Sequence, residues 1–523
     1  MRVISVLLTF GLMSVLWAQA PAGKPGSIAG TITDSVSHQG IRRATVSIVS
    51  PPHLSRLVLA DEAGKFQFPN LEPGPYQVEY VRAPGYLYQP HTRLVFVVTE
   101  DHTANVQVDL TPLGVVSGKA VDSSGDPFVG AHVTIVGYTY SKGTRTLEAV
   151  DGATTDDRGE YRIFDLPPNR YFVMATNPRS YSLLGGRVHA DAVEMAYVTT
   201  WFPNVTDGSQ ATPQVLAAGA ELDGIDLHMH KQRVFHVRGK AQLPPGQRGA
   251  VSVESCGDGP GIGVNAAILR DGTFDAGGLV AGNWCLIVNQ VVDNSHAFYA
   301  NQRVTIADHD MNNVNLTLTP AAVVRGQILL DGAAPAKLQH IPIRLDPIEQ
   351  PGRGAGSAAK EDGSFVVENV SPGQYRLMNV GLSSMYLKTI RVNGQDAANG
   401  IVQVPEGGAQ LTLLFSTDSG EVSGTVEGGG AFVSAEGVNS VTGLPVLGGV
   451  TPEGKFLIRN LAPGDYKILA WGIQDTGLLQ YADFRKLFES RAVPVTIHLK
   501  DHESVQLTAV NAAEIEAALP RLR

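Results

Sequence analysis

The groups from which a catalytic or metal centre would be built in this chain are its 14 histidines, 50 acidic residues and two cysteines. A hydrolytic zinc site takes three protein ligands and keeps one position open. His and Glu three residues apart supply two of those ligands on one local element, yet none of the 14 histidines has Glu at its third following position. His502-Glu503 lacks a second His three residues beyond the Glu, so the helical metalloprotease pattern is also missing. There is no Gly-x-Ser-x-Gly elbow, and neither cysteine sits in a catalytic signature. His228 and His230 share a strand face and with His236 form a loose set of possible metal ligands, for which solvated strand ends are the plainer reading. Asp156-Asp157 and Asp308 with Asp310 are too sparse for a calcium loop and read as turn carboxylates. Gly449 to Lys455 has the spacing of a phosphate-binding loop, but Phe456 follows where Ser or Thr is needed. No catalytic residue, metal ligand or cofactor is therefore assigned, and the chain reads as non-enzymatic.

Binding is the chemistry that remains. Aromatic rings in variable loops suit sugar stacking, and four candidates stand out: Trp201 and Phe202 in Trp201-Phe202-Pro203-Asn204, and Tyr86 and Tyr88 in Pro84-Gly85-Tyr86-Leu87-Tyr88. The plainer alternative is that these rings seal the ends of their own domains. Cys256 and Cys285 fall on the outward parity of their strands, because Val251 and Val253, and Trp284 and Leu286, take the inward one. A disulfide across neighbouring strands of one sheet is expected, contributing on the order of 3 kcal/mol. Lys119 and Lys240 lie in opening strands, but Thr31, Gln327 and Thr425 hold the same place elsewhere, which argues against a systematic internal crosslink. Leu478, Tyr481, Phe484, Leu487 and Phe488 recur at helical spacing, so this face packs on its own domain or receives a partner.

The elements that must position these groups are written five times. A turn Gly, an aromatic two residues later, Leu or Val near the seventh position and Tyr or Trp at the twelfth occur from Gly64, Gly159, Gly272, Gly363 and Gly454, which are 95, 113, 91 and 91 residues apart. A period of that length is one small domain. Each unit opens with a strand carrying a central Gly, as in Ile28-Ala29-Gly30-Thr31-Ile32 or Val422-Ser423-Gly424-Thr425-Val426, where close backbone approach is expected. Alternating runs such as Ala44-Thr45-Val46-Ser47-Ile48 read as half-buried strands. Tyr76, Tyr171, Trp284, Tyr375 and Tyr466 read as corner residues whose polar atom satisfies nearby backbone. The expected fold is all-β: five tandem antiparallel Ig-like or transthyretin-like β-sandwiches after a signal peptide. The boundaries are 1–22 leader, 23–112, 113–231 with a loop insertion, 232–320 with the disulfide, 321–416, 417–511 with a short helical insertion, and a 512–523 tail. Short connections such as Thr319-Pro320-Ala321 predict an extended, semi-rigid array longer than ~100 Å.

The strand with its central Gly, the Asp61-Glu62-Ala63-Gly64 type of turn, and Asn70-Leu71-Glu72-Pro73-Gly74-Pro75-Tyr76 or Asn460-Leu461-Ala462-Pro463-Gly464-Asp465-Tyr466 resemble tandem carboxypeptidase regulatory-like domains of bacterial secreted type. The resemblance implies a transthyretin-like (prealbumin-like) sandwich and, for this chain, regulatory-like domains without the zinc enzyme. Related modules are grouped with carbohydrate-binding-like folds, which is the one ligand class the resemblance suggests.

Arg2, the apolar run Val3–Trp17 and the small residues Ala18, Ala20 and Ala22 form a secretory leader, so a periplasmic, cell-surface or extracellular location is expected. No later stretch is apolar enough to span a bilayer. A net charge of −10 with scattered basic residues excludes the electrostatic footprint of a nucleic-acid binder. The expected role is a non-catalytic exported scaffold for protein interaction or envelope structure. The alternative is a polysaccharide-binding protein that uses loop aromatics on a multivalent rod.

Overall fold

The computed structural model describes residues 24–50, 54–88, 95–177, 194–256, 263–293, 296–332, 338–348, 354–378, 385–451, 453–473 and 475–522. The leader assigned to residues 1–22 lies outside them. The chain forms two compact units, one built from the first repeat and one from residue 112 onward.

In the first unit, strand Gly26–Asp34 pairs antiparallel with Lys65–Leu71 and parallel with Thr103–Pro112. The facing sheet runs Leu54–Leu59, Thr45–Ser50, Gly74–Arg82, Val95–Val98. Alternation brings Ile28, Ile32, Phe66, Phe68, Val46 and Ile48 between the two layers.

The second unit repeats this scheme. Gly114–Val121 pairs antiparallel with Glu160–Leu166 and parallel with the short strands Glu221–Leu222 and Leu227–His228. Phe235–Ala241 takes Thr273–Leu279 and Met311–Leu316 in the same two senses. Ala322–Asp331 takes Ser364–Val370 and Ala409–Ser416, and Gly420–Glu427 takes Lys455–Leu461 and His502–Thr508. Each of these sheets faces a second, antiparallel one. The sandwich is thus antiparallel apart from the pair made by its opening and closing strands. That exception makes the chain enter and leave a repeat at opposite ends of one sheet, which is what head-to-tail linkage requires.

The recurring residues explain the recurring fold. At the central glycine, an added Cβ would lie 2.2 Å from the Val106 carbonyl oxygen and 2.7 Å from the Phe66 ring at Gly30, and 1.8 Å from the Val505 oxygen at Gly424. The opening strand is therefore pinched between the closing strand's backbone and the signature aromatic. In the second repeat the aromatic is Tyr161, whose hydroxyl donates to the Ile225 carbonyl at 2.6 Å. Asn70, Asp165, Asn369 and Asn460 take φ between 55° and 59°, with Gly278 in the matching place of the third repeat. Each marks a shift of register against the opening strand, the bulge that turns the chain toward the next strand. Four residues beyond a backbone carbonyl comes the corner: Tyr76, Tyr171, Tyr375 and Tyr466 donate to the carbonyls of Glu72, Pro167, Ser371 and Ala462, and Trp284 Nε1 donates to Val280. All five rings are buried.

Within the second unit, the expectation of an extended array does not hold. The second repeat carries a long hairpin, His132–Ser141 with Thr144–Thr154, turned at Lys142 and Gly143, both at positive φ. Its tip reaches the fourth and fifth repeats. The Lys142 amide donates to Gln480 Oε1 at 3.1 Å, its ammonium lies 2.7 Å from the buried Asp346 carboxylate, and the Tyr140 and Tyr481 rings are 5.4 Å apart. Short helices Thr476–Gln480 and Ala482–Lys486 form the seat, with Leu478, Phe484 and Phe488 buried against Trp471. The segment 512–523 is more than a tail, since Ala512–Ala518 is a helix started by an Asn511/Glu514 capping box and buries Ile515 in the same cluster. No helix among the described residues is long and apolar enough to cross a membrane.

Candidate functional site

The aromatic candidates turn out to be packing residues. Trp201 is 2 % exposed, sits in a two-residue strand beside Met174, and has Gly208 against its indole. A ring without an open face cannot stack on a sugar, so Trp201 is a core residue here, and the reason is the loop 202–210 folding back over it. Phe202 packs on the core of the second repeat, while Tyr86 and Tyr88 pack on that of the first. The Tyr86 hydroxyl donates to Asp34 at 3.1 Å. Burial pushes the Tyr86 and Tyr88 hydroxyls to higher pKa, with the Asp34 contact adding to the effect at Tyr86.

The polar candidates are likewise occupied. Cys256 and Cys285 form a disulfide, with Cα atoms 5.3 Å apart on neighbouring segments of one sheet. His228 and His230 do not meet His236: the His230 ring lies 2.9 Å from the Asn204 carbonyl, and the His228 amide donates to the Asn204 side chain. Among the described residues no group of three His, Cys, Asp or Glu is placed to hold a metal ion. Asp156 accepts the amides of Glu160 and Arg158, and these bonds hold its carboxyl below the usual range, as expected of a turn residue. Gly449 closes a strand and Gly454 is the signature turn, at φ 76°, so the phosphate-loop spacing is part of the fold.

Two assembled arrangements were not evident in the sequence. The first joins the second and third repeats. His236 places Nδ1 on Asp275 and Nε2 on Glu194, the latter at 2.8 Å, while Arg238 bonds both Asp275 and Asp310. A neutral imidazole has one N–H, so facing carboxylates at both nitrogens selects the protonated ring. The Asp275 bond raises the His236 pKa, burial opposes it, and Glu194 adds to the rise.

The second is a cleft of about 620 Å³ where the third repeat meets the fourth. Its wall on the third repeat is the hairpin Gly282–Val291 with Ala297–Ile306, on whose outer face the cross-strand pairs Asn289–Tyr299 and Ile287–Asn301 lie side by side. The fourth repeat supplies its corner segment, with Glu368, Asn369 and Ser371. The connection is itself a strand, Thr319–Pro320 pairing with Phe298 and Tyr299, and the Ala321 amide donates to the Ala297 carbonyl at 2.7 Å. Asn369 Nδ2 also reaches the Asp293 carbonyl at 3.4 Å. The parity that sets Cys285 outward also sets Ile287 and Asn289 outward, so this face was legible in principle. Its opposition to the fourth repeat was not.

Comparison with known proteins finds likenesses to one domain family and to several solved structures. Residues 27–111 and 115–192 match the sequence pattern of the carboxypeptidase regulatory-like domain. No curated protein sequence matches the chain significantly. Among solved structures, the chain is similar to the Bacillus anthracis TIE protein at 14% identity and TM-score 0.19, over 56% of this chain and 51% of that one. It is also similar to BcpA, the major pilin subunit of Bacillus cereus, at 12% identity and TM-score 0.18, over 56% of this chain and 99% of the pilin. Shaft pilin spaA from Lactobacillus rhamnosus GG matches at 11% identity and TM-score 0.22, over 42% and 100%. The chain spans about half the length of the Bacillus anthracis protein. The family match falls on two adjoining segments, so residues 27–111 and 115–192 are each similar to a carboxypeptidase regulatory-like domain.

Proposed function

We propose that this protein is an exported, non-catalytic scaffold whose second unit serves as a rigid body for interaction with an extracytoplasmic partner. The observation that carries the reading is the hairpin of the second repeat seated on the fourth and fifth through Lys142, Gly143 and Tyr140. Contacts between repeats that are distant in sequence hold a fixed surface, and a fixed surface lowers the ordering cost of binding. The leader residues and the disulfide support export. The signature residues support a structural role, because each is used up in holding its own sandwich.

The test is fractionation of the native host with sequencing of the mature N-terminus, followed by limited trypsin digestion of the purified chain. A chain beginning near residue 19 or 23 outside the cytoplasm is expected. Lys231 and Arg233 should resist cleavage, since strand Lys231–Arg233 is paired with Met195–Tyr197. Retention in the cytoplasm with Met1 intact overturns export, and rapid cutting at Lys231 or Arg233 at pH 6, where His236 is protonated, overturns the rigid body.

A further inference from the structure

We infer that the cleft between the third and fourth repeats binds a neutral oligosaccharide. Three observations lead there. First, the wall chemistry is that of hydroxyl recognition. Asn289 and Asn301 present amide donors and acceptors beside Tyr299, and Glu368 faces them from the other repeat. An amide and a carboxylate between them bond both the donor and the acceptor side of a hydroxyl, and an aromatic ring takes the apolar C–H face of a sugar.

Second, the charge is wrong for an anion. Glu368 is the one acid in the described lining, which holds no Lys, Arg or His, and the whole chain carries −10. Phosphorylated or uronic-acid ligands would meet an uncompensated carboxylate. Third, the cleft is preformed. Ala321 lines it where the connecting strand is bonded to the third-repeat wall at Thr319–Tyr299 and Ala321–Ala297, and Asn369 of the fourth repeat donates to the Asp293 carbonyl across the junction, so parting the repeats costs that hydrogen bond. Ile287, on the outer face of its sheet, is buried at the base. A volume of about 620 Å³ lies within the span of small-ligand sites and admits a short saccharide segment.

The ring that stacks is therefore Tyr299, while Trp201 stays in the core. Outer-face residues can be changed without opening either sandwich, which makes the inference directly testable. Calorimetric titration of the mature full chain with maltohexaose, cellohexaose, laminarihexaose and chitohexaose is the experiment, with trigalacturonate and spermidine as charged probes. At least one neutral hexasaccharide is expected to bind with a Kd of about 1 mM or tighter, as a small open polar site gives. Tyr299→Ala should weaken it about tenfold, Tyr299→Phe should hold it within about threefold, and Asn289→Ala, which removes no ring, should weaken it about threefold. Failure of all four neutral probes overturns the inference. So does binding indifferent to both Tyr299→Ala and Asn289→Ala, or a preference for spermidine or trigalacturonate. None of these failures touches the scaffold reading, which rests on the hairpin contact.

Discussion

Replacing Gly477 by Ala separates the stability of the fifth repeat from its grip on the second. A Cβ at Gly477 would stand 1.8 Å from the Tyr140 carbonyl oxygen and 2.7 Å from its carbon, both backbone atoms that cannot rotate aside. The hairpin and the helix Thr476–Gln480 must then part by more than ~1 Å to restore a van der Waals contact. A displacement of that size breaks the 3.1 Å bond from the Lys142 amide to Gln480, disturbs the Tyr140–Tyr481 pair, and stretches the Lys142–Asp346 contact. The hydrogen bond and the ring pair contribute about 1 kcal/mol each. The ion pair, with the Lys142 side chain 41% exposed, adds no more than about 1 kcal/mol after screening. The docked state should lose roughly 2–3 kcal/mol, a 30- to 150-fold shift toward an undocked hairpin. Within the fifth repeat the sign is opposite, because Ala favours a helical turn over Gly by up to ~1 kcal/mol. Amide hydrogen exchange reads both effects at once. Protection at Lys142 should fall by about that factor, while amides in strand Gly464–Trp471 keep theirs. Unchanged protection at Lys142 would refute the docking geometry, and loss spreading through Gly464–Trp471 would show that the substitution had damaged the sandwich instead.

Two further predictions concern the corner and the His236 clamp. Tyr171→Phe removes the 2.7 Å bond to the Pro167 carbonyl from a ring 1 % exposed, whose hydroxyl burial pushes up to about 12. It should cost about 1–2 kcal/mol, lowering the unfolding midpoint of the second repeat by several degrees in calorimetry, and no shift there means the bond is not structural. The groups facing His236 are Asp275, Glu194, Arg238 and Asp310, and its pKa is raised chiefly by Asp275. A raised histidine pKa gives stability that is complete below the unfolded value near 6.5 and lost as pH rises through the folded value. Asp275 is held low by His236 and Arg238 against the upward push of burial, so its share is lost instead as pH falls through its folded value. The junction should therefore loosen as pH rises above about 6.5 and through the raised folded value. Trypsin cleavage at Arg233 followed from pH 6 to 9 checks this, and His236→Gln, which cannot lose a proton, should abolish the change; a slope that persists in that variant would exonerate His236.

Much of the single repeat was legible in the residues, because its determinants are local. The Gly-aromatic pairing, the corner Tyr or Trp and the outward parity of Cys256 and Cys285 each follow from period-two alternation or from a turn that only certain residues permit. Asn70 and its counterparts were visible in the sequence, yet their left-handed backbone emerged only with the bulge they terminate. Trp201 failed as a binding residue for an instructive reason: an insertion reads as exposed when its own chain is the only thing considered, whereas a two-residue strand suffices to fold it onto Met174. The His236 clamp and the Asn289–Tyr299 face were unreadable as sites because each needs a partner from another repeat.

What distinguishes this array from beads on a string is therefore carried by its departures from the repeat. Parallel opening and closing strands, left alone, pass the chain forward from one sandwich to the next. Folding back requires something that reaches sideways, and among the described residues the overlong hairpin of the second repeat does so, meeting the helices 476–486 and Leu444 of the fifth and Asp346 of the fourth. Hairpin and helices meet in residues chosen by contact: Gly143, where a Cβ would meet Leu444 at 2.9 Å, and Gly477, where it would meet Tyr140. Two glycines at one interface, one at the tip of a hairpin longer than its counterparts in the other repeats and one in a helix of the fifth, leave room for the contact between distant repeats. Gly143→Ala, strained by φ 78° and blocked by a flexible Leu444 side chain, should accordingly loosen the hairpin less through steric contact than Gly477→Ala does, and the two changes together should add less than their separate effects because they break the same contact. Full additivity in the exchange at Lys142 would mean that the two glycines act on separate interfaces.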